Sequence, residues 1–152
     1  QALTENECIE IFNNNTNGVL ALSGDEGYPY AVPLSYVYCD GSIYFHSASE
    51  GHKIDSIKRN DKASFCVVAE DNIVSDKFTT YFKSVIAFGR VELIEDEKEK
   101  INALMLLAKK YSPEESRENT KKEIDGSLKR VKILKLNIEH LSGKCAIEML
   151  KK

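Results

Sequence analysis

Ser42–Asn60, SIYFHSASEGHKIDSIKRN, is the stretch from which the rest of the chain can be read. Ile43 and Phe45 alternate with Tyr44 and His46, which is the period of a strand. Ser47, Ser49 and Gly51 interrupt that alternation. Ile54 and Ile57 then recur at helical spacing, and Ile57-Lys58-Arg59-Asn60 closes an amphipathic turn. The stretch therefore reads as strand, polar turn and helix start. Ser49 is the expected N-cap, because its hydroxyl can accept from amides two or three residues on. Acids usually occupy a first helical turn, where they complement the positive end of the helix dipole. Here His52 and Lys53 stand in that place and oppose the dipole unless an anion joins them. Free amides, small hydroxyls, an imidazole and an ammonium at one helix start suit a phosphate. Glu50 works against this, and ordinary surface helices also begin with Lys or His.

Upstream, Thr4 and Glu7 form a capping box that opens a first helix containing Cys8, Ile9, Ile11 and Phe12. Gly18–Ser23, GVLALS, is a continuous apolar run and reads as a buried strand. Gly24-Asp25-Glu26-Gly27 is the turn that leaves it. Tyr28–Cys39, YPYAVPLSYVYC, reads as one strand, with Val32, Leu34, Tyr36 and Tyr38 on one face. Proline lacks an amide donor, so Pro29 and Pro33 place this strand at an edge or where pairing is interrupted. Asp40-Gly41 is the hairpin signal leading into Ser42.

Downstream, Lys62–Ala69 reads as a strand and Glu70–Lys77 as a polar loop. Phe78–Ile94 reads as a long bent strand with Gly89 at a bulge. Asp96 and Glu99 open a helix in capping-box fashion, and Ile101, Leu104, Met105 and Ala108 form its apolar stripe. Pro113–Ile124 reads as a shorter charged helix and Val131–Ile138 as a closing strand. His140–Lys152 reads as a tail, with Leu141, Ile147 and Leu150 as packing points. The tally is about six strands joined mostly by hairpins: a mainly β chain with flanking helices, an antiparallel barrel in a single domain, 1–152. A small barrel is filled by its own side chains, so a ligand belongs on its outside, at a subunit boundary.

Composition narrows the function. The 152 residues are 42% hydrophobic and 30% charged, enough for one core in a soluble chain. A net charge of -3 gives no basic excess for nucleic acid. No run approaches the ~18 apolar residues of a membrane span. Cys8, Cys39, Cys66 and Cys145 form no C-x-x-C pair and fit free thiols in a reducing cytoplasm. His46, His52 and His140 have no carboxylate or cysteine at ligand spacing, so no metal site is expected. The chain begins at Gln1, which leaves a preceding leader open.

Several segments, in order, resemble the FMN-binding split-barrel flavoproteins of the pyridoxamine 5′-phosphate oxidase-like superfamily, and within it the nitroimidazole-resistance (Nim) group. They are TENECIEIF, NGVLALSGDEGYPYAVPLSYVY, IYFHSASEGHKIDSIKRNDKASFCVV, YFKSVIAFGRVELIED and LSGK. The resemblance implies a six-stranded antiparallel split β-barrel that forms a homodimer, with two FMN molecules in the dimer clefts. It implies that His46, Ser47 and Ala48 line the ribityl and phosphate region. His52 and Lys53 would contact the phosphate side, and Pro33, Leu34 and Ser35 would run along the isoalloxazine edge. Tyr81, Lys83 and Ser84 would close the site from the partner chain. His52 stands where pyridoxamine phosphate oxidases proper carry an arginine, and their arginine-rich substrate motifs near the C-terminus are missing. That disfavours vitamin salvage. It points to an oxidoreductase taking hydride from NADH or NADPH and reducing a small electron-poor acceptor such as a nitroaromatic. His52 is then a candidate proton donor as well as a phosphate contact. The competing expectation is a protein that holds flavin, or haem, without turnover.

Overall fold

The computed structural model of the chain describes residues 2–48, 51–147 and 149. The expected cap Ser49, its neighbour Glu50, the packing residue Leu150 and the side chain of Ala48 lie outside that description. Among the described residues, helix α1 (Glu5–Asn14) precedes strands β1 (Asn17–Ser23), β2 (Pro29–Ser35), β3 (Val37–Cys39) and β4 (Ser42–Ala48). Helix α2 (His52–Arg59) leads to the long strands β5 (Lys62–Val74) and β6 (Thr79–Ile94). Helices α3 (Glu97–Tyr111) and α4 (Arg117–Ser127) precede β7 (Val131–Cys145). All seven strands join one antiparallel sheet in the order β2-β1-β5-β6-β7-β4-β3.

The six expected strands become seven because Tyr28–Cys39 is not one strand. It breaks at Tyr36, and its halves pair at opposite ends of the sheet: β2 with β1, and β3 with β4. One residue separates β2 from β3, so the two ends of the sheet must lie side by side. The sheet is therefore curled into a barrel that fails to close. Inward residues fill it. Leu20, Tyr36, Ile43, Phe45, Phe65, Val67, Val85, Leu134 and Leu136 are fully buried. Phe65 meets Tyr36 and Phe45 edge-on, with ring centroids 4.9 and 5.0 Å apart, a favourable aromatic arrangement. Helix α1 adds Cys8, Ile11 and Phe12 to this core, and α2 adds Ile54 and Ile57. The capping box of α1 forms as expected, with Thr4 and Glu7 bonded reciprocally.

Three other expectations change. Glu70–Lys77 is not a loop: β5 runs on to Val74, paired with β6 as far as Val74 and Thr79, and only Ser75–Lys77 turns. Ladder bonds use backbone groups, so a ribbon whose side chains are mostly exposed need not show an apolar period. The tail likewise begins as strand, since β7 pairs with β6 through Cys145. In α3 the buried residues are Ala103 and Leu107, whereas Met105 is exposed. The Asp96 carboxylate accepts from the Glu99 amide at 3.0 Å, while the Glu99 carboxylate accepts from Lys135 at 3.0 Å on β7. Gly89 does mark a bulge: register shifts there, so that Phe88 pairs with His140 and Gly89 with Ile138. A Cβ at Gly89 would fall 2.0 Å from the Asn137 carbonyl oxygen.

Candidate functional site

The incomplete closure creates the site. Among the described residues, β2 pairs with β1 on one side and with no strand on the other. β3 covers β4 only over Ser42–Tyr44, so the segment from Phe45 to Ala48 pairs on one side only, with β7. The free edges of β2 and of this half of β4 start from a common apex at Tyr36 and diverge. Pro33 belongs on such an edge because it has no amide to offer a ladder.

The apex is pinned from several directions. The fully buried Tyr36 hydroxyl donates to the Phe12 carbonyl at 2.7 Å. Its amide donates to the Tyr111 hydroxyl at 3.0 Å. That hydroxyl lies 2.7 Å from the Tyr36 carbonyl and 2.8 Å from that of Thr16, either of which can take its proton. The Lys110 ammonium sits 4.0 Å from the Tyr36 ring centroid and donates to the Phe12 and Asn15 carbonyls. α1 has no basic residue in its last turn, and Lys110 supplies the cation its negative end favours. Burial pushes the Lys110 ammonium below its ordinary value. Burial, followed by the neighbouring Tyr111, pushes the Tyr36 phenol well above its own.

α2 begins at the wide end. Its N-cap is Gly51 at φ 149° rather than the expected Ser49, with no side-chain cap bond among the described residues. His52 and Lys53 are half-buried there, and Asp55 is the first-turn acid. The Asp25 carboxylate, from the single 3-10 turn between β1 and β2, accepts from Arg59 at 2.8 Å and stands 3.5 Å from His52 Nδ1. The Tyr30 ring meets the imidazole edge-on, with centroids 4.4 Å apart. These contacts tie the start of α2 to the far end of β2. Asp25, Tyr30 and Arg59 were not among the expected site residues. The Gly24–Gly27 turn is visible in the sequence, but no local spacing rule connects residue 25 with residue 52.

The fold thus sets Pro33, Leu34 and Ser35 on one lip of the split and His46, Ser47 and Ala48 on the other. His52 and Lys53 follow at its open end. Leu34 packs on the core, while Pro33 and Ser35 are exposed. Ser47 is buried and His46 is exposed, as alternation along a strand requires. Tyr81, Lys83 and Ser84 do not join them within the chain, because they lie on β6, which β7 separates from β4. Lys83 and Ser84 occupy opposite faces of β6: Lys83 shares the face of buried Val85, and Ser84 the outer face. That outer face is apolar. Val19, Cys66 and Ile86 form one cross-strand row, flanked by exposed Val68 and Phe88. A groove of about 690 Å³ lies elsewhere, between α3 and α4, and contains none of these residues.

An antiparallel sheet curled into an open barrel, with a helix start at the mouth of its split, defines the split-barrel class. The sequence pattern of pyridoxamine 5′-phosphate oxidase matches residues 4–145, and the chain belongs to that family. No curated protein matches by sequence. Among solved structures, a candidate 5-nitroimidazole antibiotic resistance protein from Bacteroides thetaiotaomicron superposes with a TM-score of 0.81 at 24% identity, over 94% of this chain and 85% of that one. An FAD-binding protein from Mesorhizobium loti is 27% identical over 96% of this chain and 97% of its own, with a TM-score of 0.66. An FAD- and haem-binding protein from Mycobacterium smegmatis gives a TM-score of 0.76 at 18% identity, over 95% of this chain and 72% of that one.

Proposed function

We propose that the chain is the subunit of a homodimeric FMN-dependent oxidoreductase that uses NADH or NADPH to reduce a small electron-poor acceptor, such as a nitroaromatic. The observation that carries this reading is the start of α2. Its N-cap is a glycine with no side chain to cap it, its first turn bears His52 and Lys53, and it opens at the mouth of a split. A phosphomonoester there would complete the helix start and complement both basic groups, through charge-assisted hydrogen bonds of the strong kind. In this reading His46, Ser47 and Ala48 line the ribityl chain. Pro33, Leu34 and Ser35 flank the isoalloxazine with the unpaired edge of β2. When bound, FMN supplies the electron-transfer chemistry, and the chain supplies placement and electrostatics. His52 is the proposed proton donor beside the same ligand.

The apolar outer face of β1, β5 and β6 supports the dimer, because contiguous exposed apolar surface marks a contact site. A second copy is its proposed occupant. Ser84 lies on that face, paired with Val68 and Lys144, and Tyr81 and Lys83 precede it on the same strand. Dimerisation would bring this segment to the partner's split. Among the described residues no two cysteines form a disulfide, which suits a reducing cytoplasm.

The test is the released chromophore. Mass and phosphorus content are expected to identify FMN rather than FAD, and anaerobic NADH or NADPH is expected to bleach the flavin in stopped flow. No bleaching with either donor would sink the enzyme reading. It would favour flavin or haem binding without turnover, the reading to which the mycobacterial FAD- and haem-binding neighbour lends support.

A further inference from the structure

We infer that the far end of the β5–β6 ribbon, residues 70–82, is an arm that docks on a second copy of the chain: its tip seats against the partner's β1–β2 turn, beside the start of the partner's α2. The inference rests on the dimer proposed above and needs no bound flavin.

Among the described residues, Phe78, Ile73 and Tyr28 are the most exposed large apolar side chains, at 97, 77 and 72%. Two lie on the arm and the third on the turn. Past Phe82, whose carbonyl accepts from the Ala146 amide at 2.9 Å, β5 and β6 pair only with each other among the described residues. A lone two-stranded ribbon is marginal in water and needs a surface to lie on. Phe78 stands at φ 51°, a left-handed conformation that bulky residues seldom take, and finds no cover within its own chain. The outer face alone is small for a stable contact: Val19, Cys66, Val68, Ile86 and Phe88 fall well short of the roughly 20–30 residues a side that such interfaces use. Alternation along β6 carries the stripe onto the arm: Phe82 and Thr80 follow Ser84 on the outer face, and Ile73 pairs with Thr80.

A two-fold contact is self-complementary, so an axis along the Val19–Cys66–Ile86 row lays each arm over the other copy's opposite sheet end. Ile73 lies roughly 23 Å from Cys66 along β5, and β1 ends at Ser23, roughly 13 Å past Val19, at about 3.3 Å per residue. Each arm therefore reaches past the partner's β1 onto its Gly24–Tyr28 turn. That turn is a firm seat. The Gly24 amide donates to the Tyr28 carbonyl at 2.8 Å, and the Asp25 carboxylate is held by Arg59 at 2.8 Å. A notch of about 190 Å³ between Leu22, Gly27, Tyr28 and Pro29 lies there. Phe78, at the tip of the arm, is the side chain to fill it.

Sedimentation gives the first test. Phe78→Ser and Tyr28→Ser change exposed side chains on which the fold of one copy does not depend, and each is expected to raise the dimer dissociation constant about tenfold. Placement is read by cross-linking in a Cys39→Ser, Cys66→Ser background, which leaves the buried Cys8 and Cys145. After subunit exchange, a short bismaleimide should join a chain carrying Phe78→Cys to one carrying Tyr28→Cys, and should not join Phe78→Cys chains to each other. Phe78→Cys joined to itself, arm against arm, overturns the inference, as does a mixture that yields no product. A dimer indifferent to both serine variants leaves the dimer standing and overturns the arm. A parent chain that sediments as a monomer overturns the two together.

Discussion

Lys53 owes its value to its neighbours: an ammonium beside a helix start whose N-cap is a glycine has an anion to gain. Lys53→Ala is expected to weaken FMN binding by about 1.5–3 kcal/mol, the worth of a charged hydrogen bond. Quenching of flavin fluorescence measures this, and an unchanged dissociation constant removes Lys53 from the site. Tyr36 makes a separate prediction about pH. Burial and then Tyr111 raise its phenol, so the folded chain holds that proton more tightly than the unfolded chain. The stabilisation is complete below the ordinary phenol value of about 10 and is lost as pH rises from there toward the folded value. Tyr36→Phe should cost about 1 kcal/mol at neutral pH, for the bond to the Phe12 carbonyl, and flatten the alkaline decline. Denaturant midpoints at rising pH test it; an equally steep decline in the variant refutes it. At this scale the sequence was half legible. His52 and Lys53 stand out because they contradict the usual charge of a first turn. Asp25, Tyr30 and Arg59 do not, because only the folded chain brings them together.

Strands posed a different difficulty. Gly89 was readable as a bulge because glycine within a β-rich run has few other uses. The structure adds the reason: the Asn137 carbonyl occupies the space a side chain would need. Gly89→Ala should therefore lower stability by about 1–3 kcal/mol, since forced overpacking costs that much. Urea unfolding would show it, and an unchanged midpoint would mean that β7 yields freely there. The extension of β5 was illegible because its side chains are largely exposed. With no face to bury, hydrophobic alternation fades, while the backbone ladder continues. The break at Tyr36 was hidden for the opposite reason. Apolar alternation runs through it without a fault, because Val32, Leu34 and Tyr36 all face the same core. The prolines were the only hint that pairing on that segment changes.

For the whole molecule, the mainly β architecture followed from hairpin signals and strand periods, whereas the split follows from pairing partners that local sequence does not name. The proposed dimer makes two predictions. Val68→Glu, on the exposed outer face of β5, should shift the protein toward monomer in sedimentation and lower its flavin content in parallel. A monomer that keeps its full flavin would contradict a shared site. In mixed dimers, Ser84→Ala should weaken the cleft that contains the other chain's Lys53. If only the altered chain's own cleft suffers, the two copies do not share their sites.

One feature of the sheet order bears on synthesis. β3 and β4 connect to the remaining ladder through β7 alone, and Ser42 and Asn137, which face each other there, are 95 residues apart. While the ribosome is still translating α3 and α4, that hairpin has side-chain packing but no ladder beyond its own turn to hold it. Closing so distant a pair is slow, and unpaired edges invite aggregation in the meantime. A premature stop ahead of Val131 would thus release a polypeptide with two pieces of β structure and no ladder to splice them. Chaperone demand should peak in the nascent chain just before that last strand clears the exit tunnel.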